Sequence, residues 1–428
     1  MKATAFDELR SRLHAKIAAR DIDVTAAPEA VRRLVEEEAE HFQRELMRGL
    51  NGYQPFADPA DVVARMLAEL NGIGSQLDLL VSDPEVEEVF GVDGEITARL
   101  VTGEARVLDC PAQPEAVMAI VQRLVATAGE NLDASHPKVD GARALLPGGR
   151  QARLSASIQP RIDGTVSFSL RIPKKRNSTL TDMVSWGSLS PEAAAFLELL
   201  MRIRRTRMLV AGPPGGGKTT LIEALLRCVP ARRRVISAEE QRELNAPLLN
   251  GEYWQTSKVE GLADLIRSAR VASPDLVVLG ELKGSEAWEL LMAGTLGIGV
   301  IAAVHAEDTA GAFEALAVCA TKAVPATPFS ELETRFAAMF DVVVYCDLDD
   351  SADALRRQVT EISVVPPQLS TAGGGVAVTP IFSRDDIGEA MELRTAAVGD
   401  RLERRCNRLL SRYGLCLSEL LKGAEVIW

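Results

Sequence analysis

The run Gly212-Pro213-Pro214-Gly215-Gly216-Gly217-Lys218-Thr219 fits the spacing G-x-x-x-x-G-K-[ST]. Glycines let backbone N–H groups turn inward around phosphate oxygens. A lysine at this spacing reaches β- and γ-phosphates, and the hydroxyl after it, here Thr219, ligates magnesium. A short apolar run at 208–211 precedes the loop and a helical run opens at Thr220, so a helix N-terminus would face the anion. The expected ligand is ATP with Mg2+, held by Gly212 to Gly217, Lys218, Thr219 and Thr220. A glycine-rich turn carrying a surface lysine is the plainer alternative.

Phosphoryl transfer to water also needs a carboxylate near the γ-phosphate to orient the attacking water. Three acidic positions follow apolar runs of strand length. Glu281 comes after 276–280, and Glu239 with Glu240 comes after 235–238; Glu243 is a weaker fourth. Glu281 is the expected residue to polarise water or to hold the magnesium network, with Glu239, Glu240 and Lys218 completing the catalytic set. Solvated acidic residues at strand ends would look the same in sequence.

These blocks, in this order, resemble those of the type II/type IV secretion ATPases. Pro274-Asp275 through Gly280-Glu281 to Glu286-Ala287 is similar to their P-D-x-x-x-x-G-E-x-R-x-x-E-A block. Arg234 with Glu239, Glu240, Glu243 and Leu244 is similar to the aspartate box, and His305-Ala306 to the end of the histidine box. Further likenesses lie at 72–94, 140–153 and 167–171. The closing blocks, 356–362 and Ile381-Phe382, resemble the CpaF/TadA-like branch that powers Tad (Flp) pili. The resemblance spans roughly residues 72–382.

The resemblance implies a homohexameric motor. It would hydrolyse ATP on the cytoplasmic side of the inner membrane and act there through a platform protein, without direct membrane insertion. Nucleotide would sit between two domains of one subunit. Arg143, Arg150 and Arg171 would neutralise charge on the phosphates, and His305 would contact them; surface arginines and a strand-end histidine are the alternatives. Three positions depart from the pattern: Thr295-Leu296-Gly297-Ile298-Gly299 lacks the first histidine of T-G-H-x-G, Lys283 replaces an arginine, and Val271 stands where an arginine is usual, beside Arg270. They keep open a second reading, a degenerate ATP-binding ring that hydrolyses little.

The elements that must carry these groups are legible as patterns. Apolar runs at 208–211, 235–238, 276–279, 300–304 and 342–345 alternate with helical stretches, which predicts a mostly parallel, doubly wound sheet. Residues 75–172 predict a small α+β domain with an antiparallel sheet, including a hairpin at Val92-Asp93-Gly94-Glu95. Residues 1–70 show apolar positions at helical spacing, Val31, Leu34, Val35, Ala39, Phe42 and Leu46 among them. The expected organisation is a helical region 1–71, an α+β domain 72–172, a linker 173–180, a RecA-like P-loop domain 181–382 and a helical extension 383–428. Gly373-Gly374-Gly375 reads as a hairpin between two of the last strands.

Composition narrows the alternatives. The 428 residues are 47% apolar and 25% charged, the values of a folded chain of two or three domains. The net charge of −12 and 4% aromatic content argue against a dedicated nucleic-acid binder, although basic clusters occur at 202–207 and 232–234. Six scattered cysteines with no C-x-x-C pair and four histidines fit neither a zinc ribbon nor a multi-histidine metal centre. No signal-peptide core precedes the first helical run, and the apolar stretch 290–304 is too short and glycine-rich to span a bilayer, so a cytoplasmic protein is expected.

Overall fold

A computed structural model of the protein describes residues 4–20, 28–49, 52–71, 75–108, 113–146, 150–172, 178–257, 259–349, 355–366 and 375–426. The chain forms two units, 1–174 and 175–428. Cys110, Gly373, Gly374, residues 72–74 and most of the expected linker (173–177) lie outside the described residues.

In the first unit, helices Ala5–Ala19, Pro28–Met47 and Pro59–Asn71 bury Leu9, Leu13, Val31, Leu34, Val35, Phe42, Leu46 and Met66 in one cluster. An antiparallel sheet follows, made of β1 (Val86–Val92), β2 (Glu95–Leu100), β3 (Ala105–Val107), β4 (Lys138–Leu145), β5 (Gln151–Ile158) and β6 (Val166–Arg171), in the order β3-β2-β1-β6-β5-β4. Helix Pro114–Thr127 covers it with Val117, Val121, Leu124 and Val125. The hairpin turn has Asp93 at φ 50° and Gly94 at φ 105°, both left-handed as a two-residue turn of matching twist requires. Asp93 Oδ1 also accepts from the N–H groups of Thr165 (2.6 Å) and Val166 (2.9 Å), tying the turn to the start of β6.

The second unit is a RecA-like α/β layer. Its strands are β7 (Arg207–Ala211), β8 (Val235–Glu239), β9 (Gly251–Gln255), β10 (Leu276–Leu282), β11 (Gly299–Val304), β12 (Val342–Asp349), β13 (Arg356–Val364), β14 (Thr379–Ser383) and β15 (Glu392–Leu393). Their order is β15-β14-β13-β12-β7-β11-β10-β8-β9, parallel from β12 to β9 and antiparallel from β13 outward. The central strands are buried on both faces, so their side chains alternate between two layers. Met208 and Val210 pack with helices Pro191–Arg202 and Lys218–Arg227, while Leu209 and Ala211 pack with Glu286–Thr295 and Gly311–Thr321. Thr179 opens the unit with a capping box to Asp182.

Residues 383–428 are less helical than their sequence suggests. Glu392–Leu393 adds a strand beside β14, and among the described residues α-helix is confined to Asp400–Leu410 and Leu417–Leu420, with a 3-10 turn at Ser411–Tyr413. Leu402, Cys406, Leu410, Leu417, Leu420 and Leu421 join the same core as the helix before β7. Among the described residues no helix is long and apolar enough to cross a membrane.

Candidate nucleotide site

Parallel strands place their C-terminal ends along one edge of the sheet, and the sequence-predicted groups collect there. The loop 212–217 leaves β7, Glu239 ends β8, Glu281 lies near the end of β10, and His305 follows β11. Because Val304 pairs with Ala211 and with Leu282, His305 falls between the glycine loop and Glu281.

Two glycines are required by the loop geometry. Gly212 has φ 142°, and any Cβ there would collide with the carbonyl of Cys346 in β12. Gly217, at φ 93°, caps helix Lys218–Arg227 in a left-handed conformation that only glycine adopts freely. The helix N-terminus carries no side-chain cap, which leaves its first N–H groups and its dipole to an anion.

Lys218 is 8% exposed. Its ammonium donates to the carbonyls of Gly212 and Pro213, both at 2.8 Å, and lies 3.1 Å from His305 Nδ1. Nδ1 also lies 3.2 Å from the Gly212 carbonyl, and the far ring nitrogen is Nε2. That nitrogen is 2.5 Å from Glu281 Oε1. The other Glu281 oxygen pairs with Lys283 Nζ at 2.7 Å, and Lys283 reaches Glu240 Oε2 at 3.3 Å. Burial would raise the Glu281 carboxyl, but Lys283 first, then His305 and Lys218, outweigh it and hold the group below its usual range. Burial also acts against the charge on Lys283, and Glu281 and Glu240 reverse that effect.

Glu239 sits differently. It is 4% exposed, and burial pushes its carboxyl up to about 7 although its Oε1 accepts from the N–H groups of Glu243 (3.1 Å) and Leu244 (3.2 Å). Oε2 is buried without a hydrogen-bond partner. Gly280 makes room for it, since a Cβ there would stand 3.1 Å from the Glu239 side chain. Glu243 Oε2 lies 3.5 Å from Thr219 Oγ1, which brings this residue to the hydroxyl expected to hold magnesium. An orphaned carboxylate oxygen, a second carboxylate against a threonine hydroxyl and an uncapped helix start are a donor set that suits Mg2+ with a polyphosphate.

Arg143, Arg150 and Arg171 belong to the first unit. Arg143 lies in β4, where burial lowers its guanidinium. Arg150 donates to the Val81 carbonyl at 2.7 Å, and Arg171 is exposed at the end of β6. Of the three departures, Thr295–Gly299 runs from a helix end into the first residue of β11, at the sheet edge opposite Lys218, and Val271 ends a helix at that same edge. Lys283 alone lies at the site. Sequence reading missed the gap at Gly280 and underrated Glu243; the E-x-x-x-E spacing of Glu239 and Glu243 was the available signal.

Residues 95–348, more than half of the chain, match the family described as Type II/IV secretion system protein, and the chain belongs to that family. It is 29% identical over 351 residues to a Mycobacterium tuberculosis protein named for conjugal transfer, covering 79% of this chain and 95% of the relative. It is likewise 29% identical over 249 residues to the type IV secretion system protein PtlH of Bordetella pertussis, covering 50% and 72%. The solved structure of the pilus retraction motor PilT with bound ADP is similar over 82% of this chain and 93% of its own, at 17% identity and a TM-score of 0.48.

Proposed function

We propose that this chain hydrolyses ATP as a homohexameric motor. In this reading it works on the cytoplasmic side of the inner membrane, bound there through a platform protein, and drives assembly of a Tad- or type IV-like pilus or a related secretion machine. The observation that carries the reading is the line Lys218–His305–Glu281 at one edge of the parallel sheet. The glycine loop and Lys218 would hold the phosphates, while Thr219, with Glu243 behind it and Glu239 nearby, would hold magnesium. The metal would supply charge neutralisation at the phosphate oxygens. Glu281, kept ionised by its neighbours, would orient water and accept its proton, and Lys283 would fix the angle of that carboxylate by tethering it toward Glu240. Arg143, Arg150 and Arg171 are proposed to balance charge growing on the transferring group.

Family membership supports ATP hydrolysis in general. The Tad branch rests on the closing blocks, whose Ile362 and Phe382 pair across β13 and β14. Magnesium-dependent turnover by the purified oligomer, absent in Lys218→Ala, is the expected result. No turnover above that control would sink the motor reading. Lys283 in place of an arginine favours the degenerate ring as the second reading, and tight ATP binding without turnover, even with membrane partners added, would establish it. Surface filaments missing in a Glu281→Gln strain would tie the motor to a pilus.

A further inference from the structure

Three arginine clusters far apart in sequence meet at the sheet edge opposite the nucleotide loop, about 17 Å away across a five-residue strand. The first precedes β7, the second precedes β8, and the third is helix Asp400–Leu410 with the turn after it. Their meeting is fixed by bonds. Arg233 donates to the carbonyls of Met201, Arg202 and Ile203. Arg204 pairs with Asp275 at 2.5 Å, and the Arg234 N–H donates to the same carboxylate. Arg405 pairs with Asp341 at 2.9 Å and donates to the Arg204 carbonyl at 2.8 Å.

Three acids at this edge are taken up by those bonds, whereas Asp400 at the start of the helix is in none of them. Asp275 serves Arg204 and Arg234, Asp341 serves Arg207 and Arg405, and Glu252 serves Arg234. Arg205, Arg232, Arg401, Arg404, Arg408 and Arg412 are exposed and have no ion pair among the described residues. Arg401 and Arg408 lie at helical spacing on the side of the helix that carries Arg405, Arg412 follows in the turn after the helix, and Glu403 falls on the opposite side. The net charge of the whole chain is −12, so this is a local reversal of sign.

Two large apolar side chains stand exposed at the same edge, Val271 (84%) and Leu296 (69%). Their loops are neighbours, since Ala272 and Ile298 pack in one cluster, and the Arg205 guanidinium lies alongside Gly297. Guanidinium groups match phosphate oxygens in a planar fork. Arginines around protruding aliphatic side chains are the makeup of a surface that lies on a bilayer. A nucleic-acid surface would call for exposed aromatic stacking platforms; here Tyr413 is exposed in the turn after the helix, and Trp254, packed beside Ala272 and Ile298, is half-buried.

We propose that this edge of the second unit is a membrane-binding face, its arginines meeting the phosphates of anionic phospholipids and Leu296 and Val271 entering the headgroup layer without spanning it. The contact would be direct and separate from any hold through a platform protein. It does not depend on whether the chain hydrolyses ATP.

Flotation of the full-length protein with vesicles tests it. Vesicles of phosphatidylcholine with a quarter phosphatidylglycerol should carry the protein in about 0.1 M salt and release it near about 1 M, where screening is short-ranged. Pure phosphatidylcholine vesicles should not carry it. The combined Arg401→Glu, Arg404→Glu and Arg408→Glu variant should bind more weakly by about a hundredfold or more, since each arginine near an anionic leaflet contributes a factor of about five and each glutamate adds repulsion. The corresponding lysine triple should retain most binding, and Leu296→Asp should weaken it. Binding of a fluorescent ATP analogue should be unchanged in all of them. If the glutamate triple fails to fold, Arg205→Gln with Arg232→Gln, outside the helix, should still lower binding about twentyfold. The proposal is overturned if phosphatidylglycerol vesicles do not carry the protein, or if the arginine variants float like wild type. It is also overturned if those variants change only the oligomeric state or the binding of a duplex oligonucleotide, which would give the edge to a second copy or to nucleic acid.

Discussion

Nε2 of His305 stands 2.5 Å from Oε1 of Glu281, and its other ring nitrogen faces the Lys218 ammonium at 3.1 Å. One imidazole therefore joins the lysine proposed to bind phosphate to the carboxylate proposed to orient water. His305→Ala should cut kcat by on the order of tenfold to a hundredfold, with nucleotide affinity changed only a few-fold. Glu281→Gln should lower kcat further and leave ATP binding intact, while Lys218→Ala should lose binding itself. Steady-state turnover and equilibrium nucleotide titration of the three variants separate these outcomes. Equal loss of affinity in all three would contradict the division of roles.

Lys283 holds one oxygen of Glu281 and reaches Glu240. In the proposed mechanism it acts through Glu281, as a positioning residue. Lys283→Met should lower kcat by about tenfold with KM nearly constant, because an interaction that matters at the transition state is removed. Lys283→Arg should restore most of the rate, its fork being able to engage both carboxylates. If the methionine variant melts earlier but turns over normally, Lys283 is only a surface tether.

Glu239 gives a pH dependence of definite sign. Its folded-state carboxyl is raised from 4.5 to about 7 by burial. The folded protein thus holds this proton more tightly than the unfolded chain. The associated stability is full below pH 4.5 and is lost as pH rises through about 7, a total of ~3 kcal/mol. Without nucleotide or magnesium, the melting temperature of wild type should fall relative to Glu239→Gln across that window. Parallel pH profiles for the two proteins would refute the buried-proton account.

Much of this was legible beforehand because strands buried on both faces are written as aliphatic runs. The five central strands and the loop at 212–219 follow from that rule. Strand β9 did not, since Gly251–Gln255 lies at the sheet edge, half-buried throughout, and carries no apolar run. The site was legible as separate carboxylates and a histidine. Which of them touch depends on strand order, and no spacing along the chain reveals that β10 and β11 are neighbours. The high carboxyl of Glu239 depends on space left by Gly280, a residue of a different strand. The tail was read as all helical because its arginines and leucines favour helix, whereas pairing with β14 decides Glu392–Leu393.

Asp341 gives the tail its anchorage. Its carboxylate receives Arg207 from the start of β7 and Arg405 from the helix Asp400–Leu410, with all three side chains largely buried. Removing the acid would leave two guanidinium groups facing each other, and Arg207 is already lowered by burial and by Arg401 and Arg405 nearby. Asp341→Ala should destabilise the second unit by about 3–5 kcal/mol, the cost of uncompensated buried charge. Arg405→Ala removes one charge and leaves the Arg207 pair, so it should cost less, about 1–2 kcal/mol. Limited proteolysis reports the location as well as the size of the effect. Cleavage near residues 394–400 should quicken in Asp341→Ala before the nucleotide loop becomes accessible, because the helix is held to the sheet at the edge opposite Lys218. Simultaneous cleavage at both places would mean that the tail and the nucleotide-binding core unfold as one cooperative piece.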